Sequence, residues 1–354
     1  MTQVQAQAAD DTTTTAPVVV DERNFRPESL DDFIGQGSIK RTLSLMLRSA
    51  KKRQTVLEHI CFYGGPGLGK TTLAAIIAGE MGGTLRELAA PAIQKPGDLV
   101  TILALLNPGD VLFLDEIHAL RREIAEILYS AMEDFRVTIV LKEQQEPLRM
   151  NLRRFTLAGA TTDYGLLPEP LRARFGQIFA LDLYTQDELE QVVGRAADKL
   201  GVLIDAESMS MIASRARGTP RVALRLLRRC YDLAIDLETD LFAEVTQEAL
   251  ARLNIDALGL DDADRRYLAA LVNVYAGGPV GPKALAASSG LDMATLEQAV
   301  EPWLVRVGLV ARTRKGRQVT QLGYNHIAPL ITSGTSVAPE AVTDPEVDED
   351  EDDI

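Results

Sequence analysis

The sequence predicts an α/β domain built on a parallel sheet, then an all-helical domain, then a small helical domain closed by a basic hairpin, the plan of a winged helix. Three observations carry this. Between His59 and Leu181, short apolar strand candidates alternate with helical stretches, the signature of a parallel sheet covered by helices. After Tyr184 the strand signals stop and helical spacing takes over, with Gly201 and Gly218 as terminators. Past Leu260, three short helical stretches precede the strand-like segments Gly308 to Ala311 and Gln318 to Thr320, joined through Thr313-Arg314-Lys315-Gly316.

Composition supports this division. The chain has 354 residues, 46% of them apolar, enough for two or three domains of ordinary size. No apolar run approaches the ~18 residues of a membrane span and no signal peptide is recognisable, so a cytoplasmic protein is expected. Cys61 and Cys230 are the only cysteines and there are three histidines, which argues against a disulfide scaffold or a structural zinc site. The net charge of −14 argues against nucleic acid if taken whole, but the stretch from Val337 to Ile354 holds nine acidic residues and no basic one. The body between the tails is near neutral, so the local placement of charge decides what it binds. The predicted organisation is a disordered head at 1–20, an α/β domain at 21–184, a helical domain at 185–254, a winged helix at 255–330 and a disordered acidic tail at 331–354.

In the first domain the strands are expected at His59 to Tyr63, Thr84 to Leu88, Val111 to Asp115, Phe155 to Ala160 and Ile178 to Leu181. Residues 136–152 interrupt the alternation and read as an inserted hairpin, Val137 to Leu141 and Leu148 to Leu152, around the polar turn Lys142 to Pro147. Helices are expected at Gln186 to Leu200, Ala206 to Arg217 and Pro220 to Leu237.

The run Gly64-Gly65-Pro66-Gly67-Leu68-Gly69-Lys70-Thr71 follows the first strand and opens the apolar helix Leu73 to Met81. It fits G-x-x-x-x-G-K-[ST] in the context that this pattern needs. Glycines let backbone N–H groups curl inward around phosphate, the helix N-terminus adds positive potential, Lys70 reaches the β and γ phosphates, and the Thr71 hydroxyl ligates magnesium. Further along, Val111-Leu112-Phe113-Leu114-Asp115-Glu116 is a buried strand ending in two carboxylates. Asp115 suits the shell of a magnesium ion, and Glu116 suits the orientation of a water that attacks the γ-phosphate. ATP and Mg2+ are therefore the expected ligands.

The order of Arg26-Pro27, Ile34-Gly35-Gln36, the phosphate loop, Asp115-Glu116-Ile117-His118, Gly159-Ala160-Thr161-Thr162 and Arg172-Ala173-Arg174-Phe175-Gly176 resembles the AAA+ ATPases. More narrowly, together with Ala131-Met132-Glu133-Asp134-Phe135 and Arg217-Gly218-Thr219-Pro220-Arg221, it resembles the RuvB family of bacterial Holliday-junction branch-migration motors, over about residues 24 to 328. The resemblance implies an α/β AAA+ nucleotide-binding domain, a helical lid and a winged helix. It implies a first sensor at Thr162, although Thr161 beside it could take the role and spacing does not choose. Arg174 matches an arginine finger reaching into the neighbouring subunit's site, with Arg172 two residues away. Arg221 matches a second sensor on the lid. Phe25, Arg26 and Tyr184 match positions around the adenine or ribose, where the two aromatics suit plain core packing equally well. The implied nucleotide contacts also include Gly64, Gly67, Gly69, Lys70, Thr71, Thr72, Glu133, Asp134 and Phe135, with Thr71 and Asp115 on the metal. Lys70, Asp115, Glu116, Thr162 and Arg174 form the catalytic set.

Between Pro302 and Leu330 there are five basic residues and no acidic one, four of them on the hairpin. Such a hairpin bonds phosphates without reading sequence, and the resemblance assigns DNA contact to Arg312 and Arg317. It further implies a homohexamer on Holliday-junction DNA, docking on RuvA through the 136–152 hairpin, and RuvC in a resolving complex. Departures from the family pattern are Gly65 for a usual proline, Asp163 for a usual arginine, Met293 for an expected DNA-contacting arginine, and the turn Lys142-Glu143-Gln144-Gln145-Glu146. Two other functions share parts of this sequence: a clamp-loader-like AAA+ ATPase, which would lack such a winged helix, and a nucleotide-gated DNA-binding adaptor, which would need neither Glu116 nor Arg174.

Overall fold

The computed structural model describes residues 25–139 and 148–332, so the head, the acidic tail and the turn at 140–147 lie outside the described residues. The chain divides after Ala249 into two compact units. This division falls inside a helix, a few residues before the boundary expected at 254.

The first unit is organised on a five-stranded sheet of β1 (Ile60–Tyr63), β2 (Leu85–Ala89), β3 (Val111–Asp115), β6 (Thr156–Thr161) and β7 (Gln177–Ala180). Their order is β2-β3-β6-β1-β7 and every pairing is parallel. Each strand lies within a residue or so of its expected place. Residues 111–114 of β3 and all of β6 are buried, which is why these segments read as continuous apolar runs rather than alternating ones. The register sets Tyr63 opposite Thr161 and Leu114 opposite Gly159. The loops that leave β1, β3 and β6 therefore emerge side by side at one end of the sheet.

Helices α1 (Gly37–Arg53), α2 (Lys70–Glu80), α3 (Pro96–Ala104) and α4 (Arg122–Asp134) accompany the sheet, with a short α5 (Glu169–Arg172) after β6. The inserted hairpin is present as β4 (Arg136–Ile139) and β5 (Leu148–Asn151), antiparallel, with Arg136 opposite Asn151. A core of Leu112, Leu114, Ile117, Leu128, Phe155 and Leu171 joins β3, α4 and α5.

The lid follows as α6 (Gln186–Leu200), α7 (Ala206–Arg215), α8 (Pro220–Asp236) and α9 (Ala243–Arg252). Helix α6 begins in a capping box: the Thr185 hydroxyl accepts from Glu188 N, and the Glu188 carboxylate from Thr185 N. Helix α7 ends two residues before the expected Arg217, because Arg217 and Gly218 both adopt left-handed backbone, with φ +53° and +71°.

The second unit holds α10 (Asp262–Asn273), α11 (Pro282–Ser289), α12 (Met293–Thr295), a π-turn (Leu296–Val300), α13 (Glu301–Arg306), β8 (Val310–Thr313), β9 (Gly316–Val319) and α14 (Gln321–Thr332). Tyr267, Leu268, Leu271, Leu285, Leu296, Leu304 and Leu309 fill its core. The wing strands differ from expectation: each extends toward the tip, so that only Arg314 and Lys315 form the turn. Arg312 and Arg317 thus lie on strands, where an apolar pattern does not mark them. Among the described residues, no helix is long and apolar enough to cross a membrane.

Candidate functional site

The loop between β1 and α2 takes its shape from glycines that no other residue suits. Gly64, Gly67 and Gly69 have φ of +146°, +80° and +99°. A Cβ at Gly67 would stand 2.8 Å from Arg221 Cβ, and one at Gly69 would stand 3.0 Å from the Phe33 ring. Gly65 differs, since its Cβ would meet only Leu68 Cδ1 at 3.8 Å, so nothing here demands glycine. Lys70 opens α2 and is buried; its Nζ donates to Gly64 O at 2.7 Å and Gly65 O at 2.9 Å. Burial holds its pKa below the ordinary lysine value, Asp115 and Glu116 partly offset that, and Arg221 adds to it.

Opposite the loop, Asp115 ends β3 and its Oδ1 accepts from Glu116 N at 3.1 Å. Glu116 has left-handed backbone, φ +49°, uncommon for a side chain of this kind and found where the surroundings enforce it. Its carboxylate accepts from Thr162 N at 3.1 Å and from the Thr162 hydroxyl at 3.0 Å (Oε2) and 3.1 Å (Oε1). Of the two adjacent threonines, Thr162 is the one bonded to Glu116. Thr162 lines the cavity, whereas Thr161 is fully buried, donates to Asp163 O at 3.0 Å and lies 2.8 Å from His118 Nδ1. His118 also stands 3.3 Å from Glu116 Oε2, a contact that no sequence spacing had assigned. Asp163 caps the next turn by accepting from Gly165 N.

The lid closes the cavity from above. Arg221 N donates to Gly67 O at 3.4 Å, and Arg221, Pro220 and Leu224 join Lys70, Thr71, Thr72, Asp115, Glu116 and Thr162 in its lining. Arg26, Gly69, Thr72, Pro220 and Leu224 continue into a second, more apolar cavity walled by Phe25, Pro27, Phe33, Ile34, Tyr184 and Ala196. The Tyr184 hydroxyl donates to Leu68 O at 3.3 Å, and burial pushes its pKa up. Asp32 and Arg195, not singled out from the sequence, pair at 2.9 Å and tie the segment around Phe25 to lid helix α6.

Five expected nucleotide contacts, Gly64, Glu133, Asp134, Phe135 and Arg174, do not line this chain's cavity. Arg174 Nη2 donates to Glu133 Oε2 at 2.8 Å, its Nη1 donates to Pro170 O at 2.7 Å, and its guanidinium lies 4.9 Å from the Tyr129 ring centre. Asp134 ends α4 and is exposed. Phe135, at φ +51°, packs its ring against His59 and Phe155 with centres 5.9 and 5.8 Å away, beneath Arg154. In the second unit, Arg312 and Arg317 both bond to Glu301, at 2.9 and 2.6 Å. Met293 opens α12 directly after its cap Asp292.

The residues present fit a nucleoside triphosphate with its divalent cation. The glycine loop and Lys70 form a cradle, Thr71 and Asp115 offer a hydroxyl and a carboxylate on the same wall, and the apolar cavity has the character of a base site. Among the described residues no group of three or more acidic, histidine or cysteine side chains converges to hold a metal alone.

Comparison with known proteins agrees with this arrangement. Residues 25–181 match the Holliday junction DNA helicase RuvB P-loop domain, 184–256 the RuvB AAA lid domain, and 257–328 the RuvB C-terminal winged helix domain. The chain is 48% identical over 308 residues to the Holliday junction branch migration complex subunit RuvB of Kosmotoga olearia, covering 86% of this chain and 90% of that one. With the subunit of the same name from Thermotoga maritima it shares 46% identity over 306 residues, 86% of this chain and 92% of the relative. The solved Thermotoga maritima RuvB Holliday junction branch migration motor superposes with a TM-score of 0.77 at 45% identity, over 86% of this chain and 98% of that structure.

Proposed function

The chain belongs to the RuvB family, and from that premise we propose that it is an ATP-driven DNA motor which moves the branch point of Holliday junctions in recombination and repair. ATP lies with its phosphates against the Gly64–Thr71 loop and its base between Phe25, Ile34 and Tyr184. Lys70 exchanges its bonds to Gly64 O and Gly65 O for phosphate oxygens, so that its ammonium meets charged acceptors in place of neutral carbonyls. Thr71 and Asp115 would hold Mg2+, which when bound would neutralise charge at the phosphates. Glu116, set by Thr162 and His118, orients the attacking water on the far side of the γ-phosphate. Arg221 approaches from the lid, so that gain or loss of the γ-phosphate changes the lid angle.

The observation that carries the reading is a division of labour. Lys70, Thr71, Asp115, Glu116, Thr162 and Arg221 line one cavity, while Arg174 stands outside it on Glu133 and Tyr129. A hydrolytic site completed by a neighbour's finger, with Glu133 and Asp134 at the same border, supports a closed ring, here a homohexamer. Duplex DNA passes through the ring against the winged helices, RuvA docks at the hairpin Arg136–Asn151, RuvC joins a resolving complex, and the protein acts in the cytoplasm.

A four-way-junction unwinding assay with ATP, with and without the cognate RuvA, tests this. Branch migration that needs both ATP and intact Glu116 is expected. ATP turnover on junction DNA with no migration in the presence of RuvA would favour a clamp-loader-like ATPase, and binding without turnover an adaptor.

A further inference from the structure

The two arginines expected on the DNA face sit opposite each other across the wing, Arg312 on β8 against Arg317 on β9, and both turn to one carboxylate. Glu301 Oε1 accepts from Arg317 Nε at 2.6 Å, and Oε2 accepts from Arg312 Nη2 at 2.9 Å and from Arg317 Nη2 at 3.3 Å. The Tyr267 hydroxyl donates to Oε1 at 3.4 Å, and Arg317 Nη2 also reaches Glu297 at 3.3 Å. Glu301 stands directly after the π-turn Leu296–Val300, an irregularity that recurs at functional sites, and Glu297, four residues before it, addresses the same guanidinium.

The exposures are graded. The Glu301 side chain is 0% exposed, that of Arg317 18% and that of Arg312 52%. Burial pushes the Glu301 pKa up, but the bonds and charges of Arg317 and Arg312 outweigh it and hold the carboxyl below its ordinary value. Glu301 is therefore ionised beneath the hairpin. A phosphate that pulled both arginines away would leave a buried charge unpaired, which is strongly unfavourable. Yet Glu301 does not use either guanidinium up: Arg312 Nε and Nη1 and Arg317 Nη1 bond to no described residue.

We infer that Glu301 is the positioning residue of the wing, a buried carboxylate that fixes the Arg312 and Arg317 guanidinium groups so that the N–H groups it leaves free meet nucleic-acid phosphate. The inference rests on the reading of the wing as the duplex contact. Two long side chains held in place before binding lose less freedom when DNA arrives, so orientation adds to affinity. Charge by itself predicts the opposite sign, because removing an acid from a basic hairpin should strengthen its hold on DNA.

The full chain carrying Glu301→Gln is titrated with a fluorescent duplex of arbitrary sequence across a range of salt concentrations, beside Arg312→Gln. We expect Glu301→Gln to bind roughly tenfold more weakly at low salt, with the plot of log affinity against log salt flatter by about one contact. A purely structural role would lower the competent fraction and leave that slope alone. Binding as tight as or tighter than the unsubstituted chain, or weaker binding with an unchanged slope, overturns the inference. Should Glu301→Gln fail to fold, Glu301→Met, which fills the buried volume without charge, is read by the same criteria. Arg312→Gln reports on the underlying reading: unchanged affinity and slope there would mean that the wing does not touch the duplex. Weak binding by Arg312→Gln beside tight binding by Glu301→Gln overturns the positioning role alone.

Discussion

Replacing Gly67 and Gly65 separately by alanine distinguishes a glycine that the phosphate loop needs from one that it merely contains. Both occupy variable positions of the phosphate-loop pattern. Gly67 has φ +80°, and a Cβ there would stand 2.8 Å from Arg221 Cβ. Left-handed backbone costs an ordinary residue about 1–2 kcal/mol, equivalent to roughly 5- to 30-fold in the population of the correctly curled loop. The clash adds to this, because Arg221 Cβ is anchored to the start of α8 and can recede only if the lid helix moves, loosening the Arg221 N–H bond to Gly67 O. Gly67→Ala should therefore weaken nucleotide binding by at least roughly tenfold, by the same conversion. Gly65→Ala meets only Leu68 Cδ1 at 3.8 Å, an ordinary contact, and should bind within about twofold of the unsubstituted chain. Titration with a fluorescent ATP analogue, with thermal unfolding alongside to confirm the fold, measures both. Equal affinities in the two variants, or a Gly67→Ala chain that binds as the parent does, would refute the argument that the loop and lid meet through this glycine.

Other consequences follow from the same geometry. Lys70→Ala should abolish ATP binding, whereas Glu116→Gln should retain ATP and lose hydrolysis, since one residue grips phosphate and the other acts on water; a similar loss of affinity in both would contradict these roles. Arg174→Ala removes a half-exposed pair with Glu133, worth at most about 1 kcal/mol, so each subunit should fold and bind nucleotide while the assembled protein loses most turnover. Mixing Arg174→Ala with Lys70→Ala subunits should restore some ATPase, and no recovery would argue against action in trans. Deleting the chain from Val337 onward removes nine carboxylates and should strengthen DNA binding at low salt but not at high salt; equal affinity at low salt would show that the tail does not compete with DNA.

Much of the fold was legible because its signals are local. Apolar runs of four to six residues mark β1, β3 and β6, since a strand buried on both faces has no polar side. Thr185 with Glu188, and Pro220 after Gly218, mark helix starts whose chemistry lies within one turn. The wing was displaced by about two residues because its strands carry arginines that face a buried acid rather than an apolar core, and no periodicity reports an ion pair. Likewise Asp32 and Arg195 gave no sequence signal, because they lie far apart along the chain, and His118 stood within a recognised motif whose pattern did not say that it meets Thr161.

The sequence by itself determined the phosphate loop, the Asp115-Glu116 pair, the three-part architecture and the family, because each depends on residue type and short spacing. Only the tertiary structure decided which of two adjacent threonines meets Glu116, for Thr161 ends the buried strand β6, paired with Tyr63, whereas Thr162 lies just past the strand end, on the cavity wall. It also decided that Gly67 must be glycine, since the obstacle is a lid residue more than 150 positions away, and that Arg312 and Arg317 share one buried carboxylate. Contacts of this kind arise when the folded chain brings distant segments within a few ångströms, and their strength depends on burial, which a linear sequence does not carry.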